Sequence, residues 1–360
     1  MEEVMRRQTA AVATLTALAL LAIAPVAQAT YDPLGSGTTK LTLDKRFISF
    51  LKADGITLTA SAGAKGKGKA FTLPVVNGNM DPTISQGEID QEGTLIFQSD
   101  RKRVPLRKIV LKTKHSPLIS KVGGSQLKIA TSSKLSSKRE GFGTTFSAKA
   151  LKLTAKVATR LNKKLRPKIP FVEGQPFGIV SSNAQPRLVT ILEQGKATFV
   201  FDSAFVAKMD GLFVSLNPIF PAEHVGATFT FPIIPGGQLA PNGSEGTLRT
   251  GGSVEMLQLG AGQVFWHELW LDLGTRSDTA EVDIEPTPAF PGKLGRVGVL
   301  DLGTTTVSSD PNARTISISG APMTLQASAA ANLNQAFAPG KEPFKAGETV
   351  GALTFTAQGQ

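Results

Sequence analysis

The chain has 360 residues, a formal net charge of +11 and no cysteine. Disulfides, thiol chemistry and cysteine-ligated metals are thereby excluded, so a fold of this size must rest on core burial. Frequent Gly, Pro, Thr and Val, with few aromatics other than Phe, make the composition β-rich.

In chain order, the first element is an export signal. Met1 to Arg7 forms a short n-region ending in Arg6-Arg7, and an apolar run follows from Thr9 to Pro25. Ala27-Gln28-Ala29 satisfies the small-x-small rule, so residues 1–29 read as a signal peptide and Thr30 as the mature start. No later stretch reaches about 18 continuous apolar residues, so no transmembrane span is expected in the mature chain. A secreted or cell-envelope location follows as the expectation.

Residues 30–39 read as an N-terminal extension, and 40–182 as a first domain. Leu41 and Leu43 alternate as a strand, then Asp44 stands where an N-cap would, with Phe47, Ile48 and Leu51 on one helical stripe. Asp54-Gly55 ends that helix. Lys65 to Lys69 reads as a Gly/Lys loop. Phe71, Leu73 and Val75 alternate, Asn77-Gly78 and Asp81-Pro82 mark a turn, and Ile84 to Ile89 reads as a short strand. Gln91-Glu92-Gly93 reads as a turn before Thr94 to Phe97 pairs back. Arg103 to Thr113 then alternates with Ile109 and Leu111 inward, and Leu161 and Leu165 sit on a small helix.

Residues 183–194 read as a linker, and the same succession returns in 195–356. Phe199-Val200-Phe201-Asp202 with Phe205 repeats Leu41-Thr42-Leu43-Asp44 with Phe47. Phe229 to Gly236 repeats Phe71 to Gly78. Gly246, Leu248, Gly252 and Val254 repeat Gly87, Ile89, Gly93 and Leu95, and Leu333-Asn334 with Phe344 repeats Leu161-Asn162 with Phe171. Asp210-Gly211 should stop the second helix, and Phe265, Leu269, Leu271 and Leu273 should share one strand face. A period this long is a duplicated domain rather than a solenoid unit. Short strands every 8–12 residues with turn signals between them indicate two tandem antiparallel β-sandwich domains, all-β with short helices.

Charge divides unevenly between the copies. Residues 40–182 carry 27 Lys and Arg against 9 Asp and Glu, whereas 195–356 carry 9 against 15. Such a basic half suits an anionic partner: an envelope polymer, a membrane surface or the acidic sister repeat. A solvated strand face tuned for solubility would look the same. Nucleic acid is not expected, because the basic segment lacks Tyr and Trp stacking platforms and the chain is exported.

An enzyme is not expected either. A hydrolytic triad needs a His near Ser and Asp, yet His115, His224 and His267 are scattered and none recurs between copies. Glu281, Asp283 and Glu285 share one strand face and make a poor cation cage, so no metal site is assigned. His267, within Phe265-Trp266-His267-Glu268-Leu269-Trp270, is the residue singled out as a candidate axial ligand or part of an aromatic binding platform. A strand-end His packed among aromatics is the competing reading.

These blocks, in this order and twice over, resemble the haem-transport-associated (HtaA) domain family. The resemblance rests on the helices with Phe47 and Phe205, the Phe71-to-Gly78 block, the Gly93-x-Leu95-x-Phe97 pattern and the strand with Ile109 and Leu111. It implies sandwiches with small helices in secreted or surface-held proteins that take up haem and pass it on without catalysis. Haem or a haem protein is thereby an implied partner. It also implies a Tyr ligand three residues after the helix Phe. Phe50 and Lys208 occupy that position here and are not expected to ligate iron; the only tyrosine, Tyr31, precedes the first repeat.

Overall fold

The computed structural model describes residues 31–84, 86–100, 102–114, 118–122, 124–284 and 292–360. The expected signal peptide, His115 and Glu285 lie outside them. Among the described residues, eleven strands from Asp32 to Pro186 hydrogen-bond into one antiparallel sheet and thirteen from Val189 to Gly359 into another. Each sheet returns on itself. Strand Gly143–Leu153 pairs with Pro176–Pro186 in the first lobe, and Gly262–Asp272 with Ser277–Ile284 in the second, closing each sandwich at its edge. Two apolar clusters fill the lobes, the second borrowing Phe142 from the first. No helix among the described residues is long and apolar enough to cross a membrane.

The duplicated blocks hold the same register. Leu41 lies between Val180 and Phe71, and Phe199 between Leu353 and Phe229. Asp44 and Asp202 each cap a helix, Lys45–Ala53 and Ser203–Gly211, by accepting backbone N–H bonds from the first turn. The second helix includes Gly211 rather than stopping before it, and Phe213 takes the left-handed conformation (φ 56°) that Gly55 takes in the first lobe. Asn162 and Asn334, on helices Ala155–Leu165 and Ala327–Phe337, clasp the following loop twice. Each side chain donates to the carbonyl of Phe171 or Phe344 and accepts from the same residue's N–H, all at 2.8–2.9 Å.

Four local expectations need correction. Lys65–Lys67 is a short strand paired with Ala70–Thr72, because Gly68 (φ 72°) and Lys69 turn the chain back on itself. Asn77-Gly78 lies inside the strand Ala70–Asp81, and Gln91-Glu92-Gly93 is a bulge inside the strand Gln86–Ser99. Gly93 (φ 116°) and Gly252 (φ 88°) explain the bulge: a Cβ there would stand within 2.7 Å of the Ala64 or Ala222 nitrogen. Phe265 faces away from Leu269 and Leu271. A left-handed residue, Glu268 (φ 47°), shifts the period midway along the strand, so Trp266 enters the core in its place.

Residues 183–194 hold the end of strand Pro176–Pro186 and the start of strand Val189–Phe201. Across this junction Asp32, on the first strand of lobe one, accepts the Thr190 N–H of lobe two at 2.9 Å. Asp32 is 2% exposed and its Oδ2 has no hydrogen-bond partner. Burial pushes its pKa up to about 6, against the opposing pull of the Thr190 bonds and of Arg139, while Asp81 adds repulsion. A carboxyl so raised stabilises the fold fully below its unfolded pKa of 3.8, and that contribution is lost as pH rises through 6. Asp32→Asn, which keeps the acceptor but cannot ionise, is expected to flatten this part of the stability profile. Thermal melts between pH 4 and 7 that fall in parallel for both proteins would refute the assignment.

Candidate functional site

The position that the family resemblance assigns to an iron-ligating tyrosine is filled differently in each lobe. Phe50 packs edge-on against Phe171 (4.9 Å between centroids) and stacks on Phe47, which itself meets Phe97 and Phe177. Lys208 donates to the Pro343 carbonyl at 2.9 Å, pairs with Glu348 and lies 5.5 Å from the Phe344 ring centroid. A phenyl ring offers iron no donor atom, and this ammonium already holds two acceptors. The residues at this position do not fit haem ligation.

His267 has company that spacing alone did not reveal. Its Nδ1 lies 2.8 Å from Ser253 Oγ on the neighbouring strand, and its Nε2 lies 3.5 Å from Asp283 on the other side. The expectation that no His meets Ser and Asp is therefore corrected. Strand pairing brings them together, because Ser253 and Glu281 both stand directly across from His267 and Asp283 is two residues beyond Glu281. The three residue types of a hydrolytic triad thus stand in one line. Ser253, however, is only 5% exposed, so its hydroxyl is not presented to an incoming substrate. Phe265 stacks on the imidazole at 5.2 Å. Trp270 is sandwiched between the guanidinium groups of Arg249 and Arg296, at 4.0 and 3.8 Å, so neither ring face is open to a ligand. His224 lies beside Phe229 on an exposed short strand.

A further polar feature is the outer face of the strands Gln86–Ser99, Lys102–Lys112, Leu118–Val122 and Ser125–Thr131. Arg107 stands between Thr94 and Lys121 across the sheet. Lys108 follows in a left-handed conformation (φ 50°) that turns Ile109 back into the core. Val110 then stands between Asp90 and Ile119, and Ile119 is paired with Lys128. Like charges directly opposed, as in Arg107 and Lys121, destabilise a sheet. A second opposed pair, Lys134 and Lys149, lies on the strands beyond. Two grooves open on this face. One of about 840 Å3 is lined by Tyr31, Asp90, Lys112, Lys114, Ile119 and Lys128, and one of about 470 Å3 by Asp90, Lys108, Val110 and Lys121. Burial raises the pKa of Asp90, with Glu88 adding repulsion and Lys112 opposing both. Composition gave the sign of this face in advance. The bulge that aims Lys108 outward had no sequence signal beyond the interrupted alternation.

No family model matches the sequence, and no curated protein does. Among solved structures, the chain is similar to the C-terminal domain of HtaA from Corynebacterium glutamicum, with 18% identity, a TM-score of 0.36, and coverage of 47% of this chain and 98% of that one. It is also similar to the N-terminal domain of the same protein, with 17% identity, a TM-score of 0.36, and coverage of 47% and 99%.

Proposed function

We propose that the chain is an exported, non-catalytic binding protein of two tandem domains that acts at the cell envelope and engages an anionic polymer through the outer face of its first lobe. The observation that carries this reading is the directly opposed Arg107 and Lys121, with Lys108, Lys112, Lys114 and Lys128 around two adjoining grooves. A sheet that tolerates like-charge opposition has that repulsion relieved when an anion lies across it. The expected result is binding to a soluble polyphosphate or polycarboxylate that weakens steeply with salt. Arg107→Ser with Lys121→Ser should reduce the affinity by about tenfold, as removal of two close charges would. Isothermal titration at two ionic strengths measures this; salt-insensitive or absent binding sinks the proposal.

A second reading, haem binding, has one observation of its own. Tyr31, the chain's single tyrosine, lines the larger groove beside Lys112, Lys114 and Lys128, and a phenolate with nearby ammonium groups suits a ferric porphyrin carrying two carboxylates. His267 would have to give up Ser253 or Asp283 to serve as ligand. Titration with haemin distinguishes the candidates. A Soret shift lost in Tyr31→Phe supports the groove, one lost in a His267 variant supports the second lobe, and none at all removes the reading.

A further inference from the structure

The second lobe carries the counterpart outer face with three basic positions turned acidic. Strand register fixes the correspondence without any superposition. His267 stands between Ser253 and Glu281 as Arg107 stands between Thr94 and Lys121. Each is followed by a left-handed residue, Glu268 in place of Lys108. Two residues further, Trp270 pairs with Arg249 where Val110 pairs with Asp90, and Asp272 then stands where Lys112 does. So Lys108, Lys112 and Lys121 become Glu268, Asp272 and Glu281, while of the two acids there Asp90 becomes Arg249 and Glu88, the partner of Lys112, becomes Thr247.

From this we infer that the basic face of one copy docks on the acidic face of a second copy of the chain. Two faces built on one register, brought together about an approximate twofold axis, set counterpart positions near that axis against each other. Opposite signs at those positions then attract, where two identical faces would repel. Glu268 and Glu281 remain 58% and 49% exposed although Arg296 lies 3.6 and 4.0 Å from them, so one guanidinium is shared by two carboxylates and negative charge is left over. Among the described residues no ion pair joins the two faces within a chain. The pairing thus falls to another molecule. This interaction goes beyond polymer binding, since it needs the acidic face that a polymer does not use, and the two partners compete for the basic one.

The experiment is sedimentation velocity on the purified chain and two charge-reversal variants, K108E/K121E and E268K/E281K. The wild-type protein should self-associate at low ionic strength and dissociate in about 1 M salt, where screening acts over roughly 3 Å. Each variant alone should associate at least about tenfold more weakly, since both of its faces then carry one sign. An equimolar mixture of the two variants should regain association. E268Q/E281Q, which keeps the side-chain shape, guards against loss of folding in the reversal and should also weaken association. A wild-type protein that stays monomeric, or a mixture that does, overturns the inference. Polymer binding retained by E268K/E281K in that event would leave the proposed function standing.

Discussion

Replacing Asp278 with leucine is expected to make the second lobe markedly more stable at neutral and alkaline pH, and to remove most of the pH dependence above 6. Asp278 is 2% exposed, its Oδ1 has no hydrogen-bond partner, and it borders a cavity of about 20 Å3 lined by Phe199, Phe201, Trp266, Leu269 and Met323. Burial drives its pKa from 3.8 to about 8, against the weaker pull of Arg296 and the Thr279 N–H. Below 3.8 both the folded and unfolded forms are protonated and the stabilising contribution is complete. As pH climbs toward 8 only the unfolded chain ionises, which costs the fold about 1.4 kcal/mol for each pH unit. Leucine is the natural replacement, because Leu118 holds the counterpart position in the first lobe, one residue before Ile119 as Asp278 precedes Thr279. Asp278→Asn separates charge from shape: it should flatten the profile yet remain less stable than the leucine variant, with a polar group still buried. Denaturation midpoints from pH 4 to 9 provide the measurement. Since the Asp32 window closes near pH 6, a slope between 6 and 8 that persists in Asp278→Leu would refute the assignment.

The elements that sequence could place are those with local causes. Asp44 and Asp202 cap helices because a short acceptor before an amphipathic stripe has few other uses, and both helices bury the Phe expected of them. The duplication was legible because the same glycines, asparagines and phenylalanines meet the same steric demands twice. Asn162 and Asn334 show this best, each answering the same pair of backbone groups. What stayed hidden depends on bulges and register. Gly93 reads as a turn until its neighbours are seen pairing one long strand, and Glu268 sets Phe265 and Leu269 on opposite faces with no propensity signal at all. The same holds at the candidate site. The sign of the first lobe's outer face is a matter of counting, but the meeting of Ser253, His267 and Asp283 and the charge inversion between lobes are products of strand pairing.

Substituting Lys208 by phenylalanine should cost about 2 kcal/mol, and adding Glu348→Gln should recover most of the loss. The reason is that each lobe has settled the helix position after Phe47 or Phe205 with its own matched set. In the first lobe the Phe50 ring packs on Phe171, and Gln175 Oε1 accepts from the Val172 N–H at 3.4 Å. In the second the Lys208 ammonium lies over Phe344 and pairs with Glu348, whose Oε2 accepts from the Lys345 N–H at 3.3 Å. Removing the ammonium alone strands a carboxylate that is 19% exposed, whose Oε2 loses its cation and whose Oε1 already has no hydrogen-bond partner. The fully buried figure of about 3–5 kcal/mol is reduced here because Lys208 itself is 30% exposed. Lys208→Phe with Glu348→Gln transplants the first lobe's chemistry entire, ring on ring and amide on backbone. Chemical denaturation of the two single variants and the double one closes the cycle. A double variant no more stable than Lys208→Phe would mean the pair is uncoupled. Recovery would mean that this position has been given over, in both lobes, to holding the helix against its own loop.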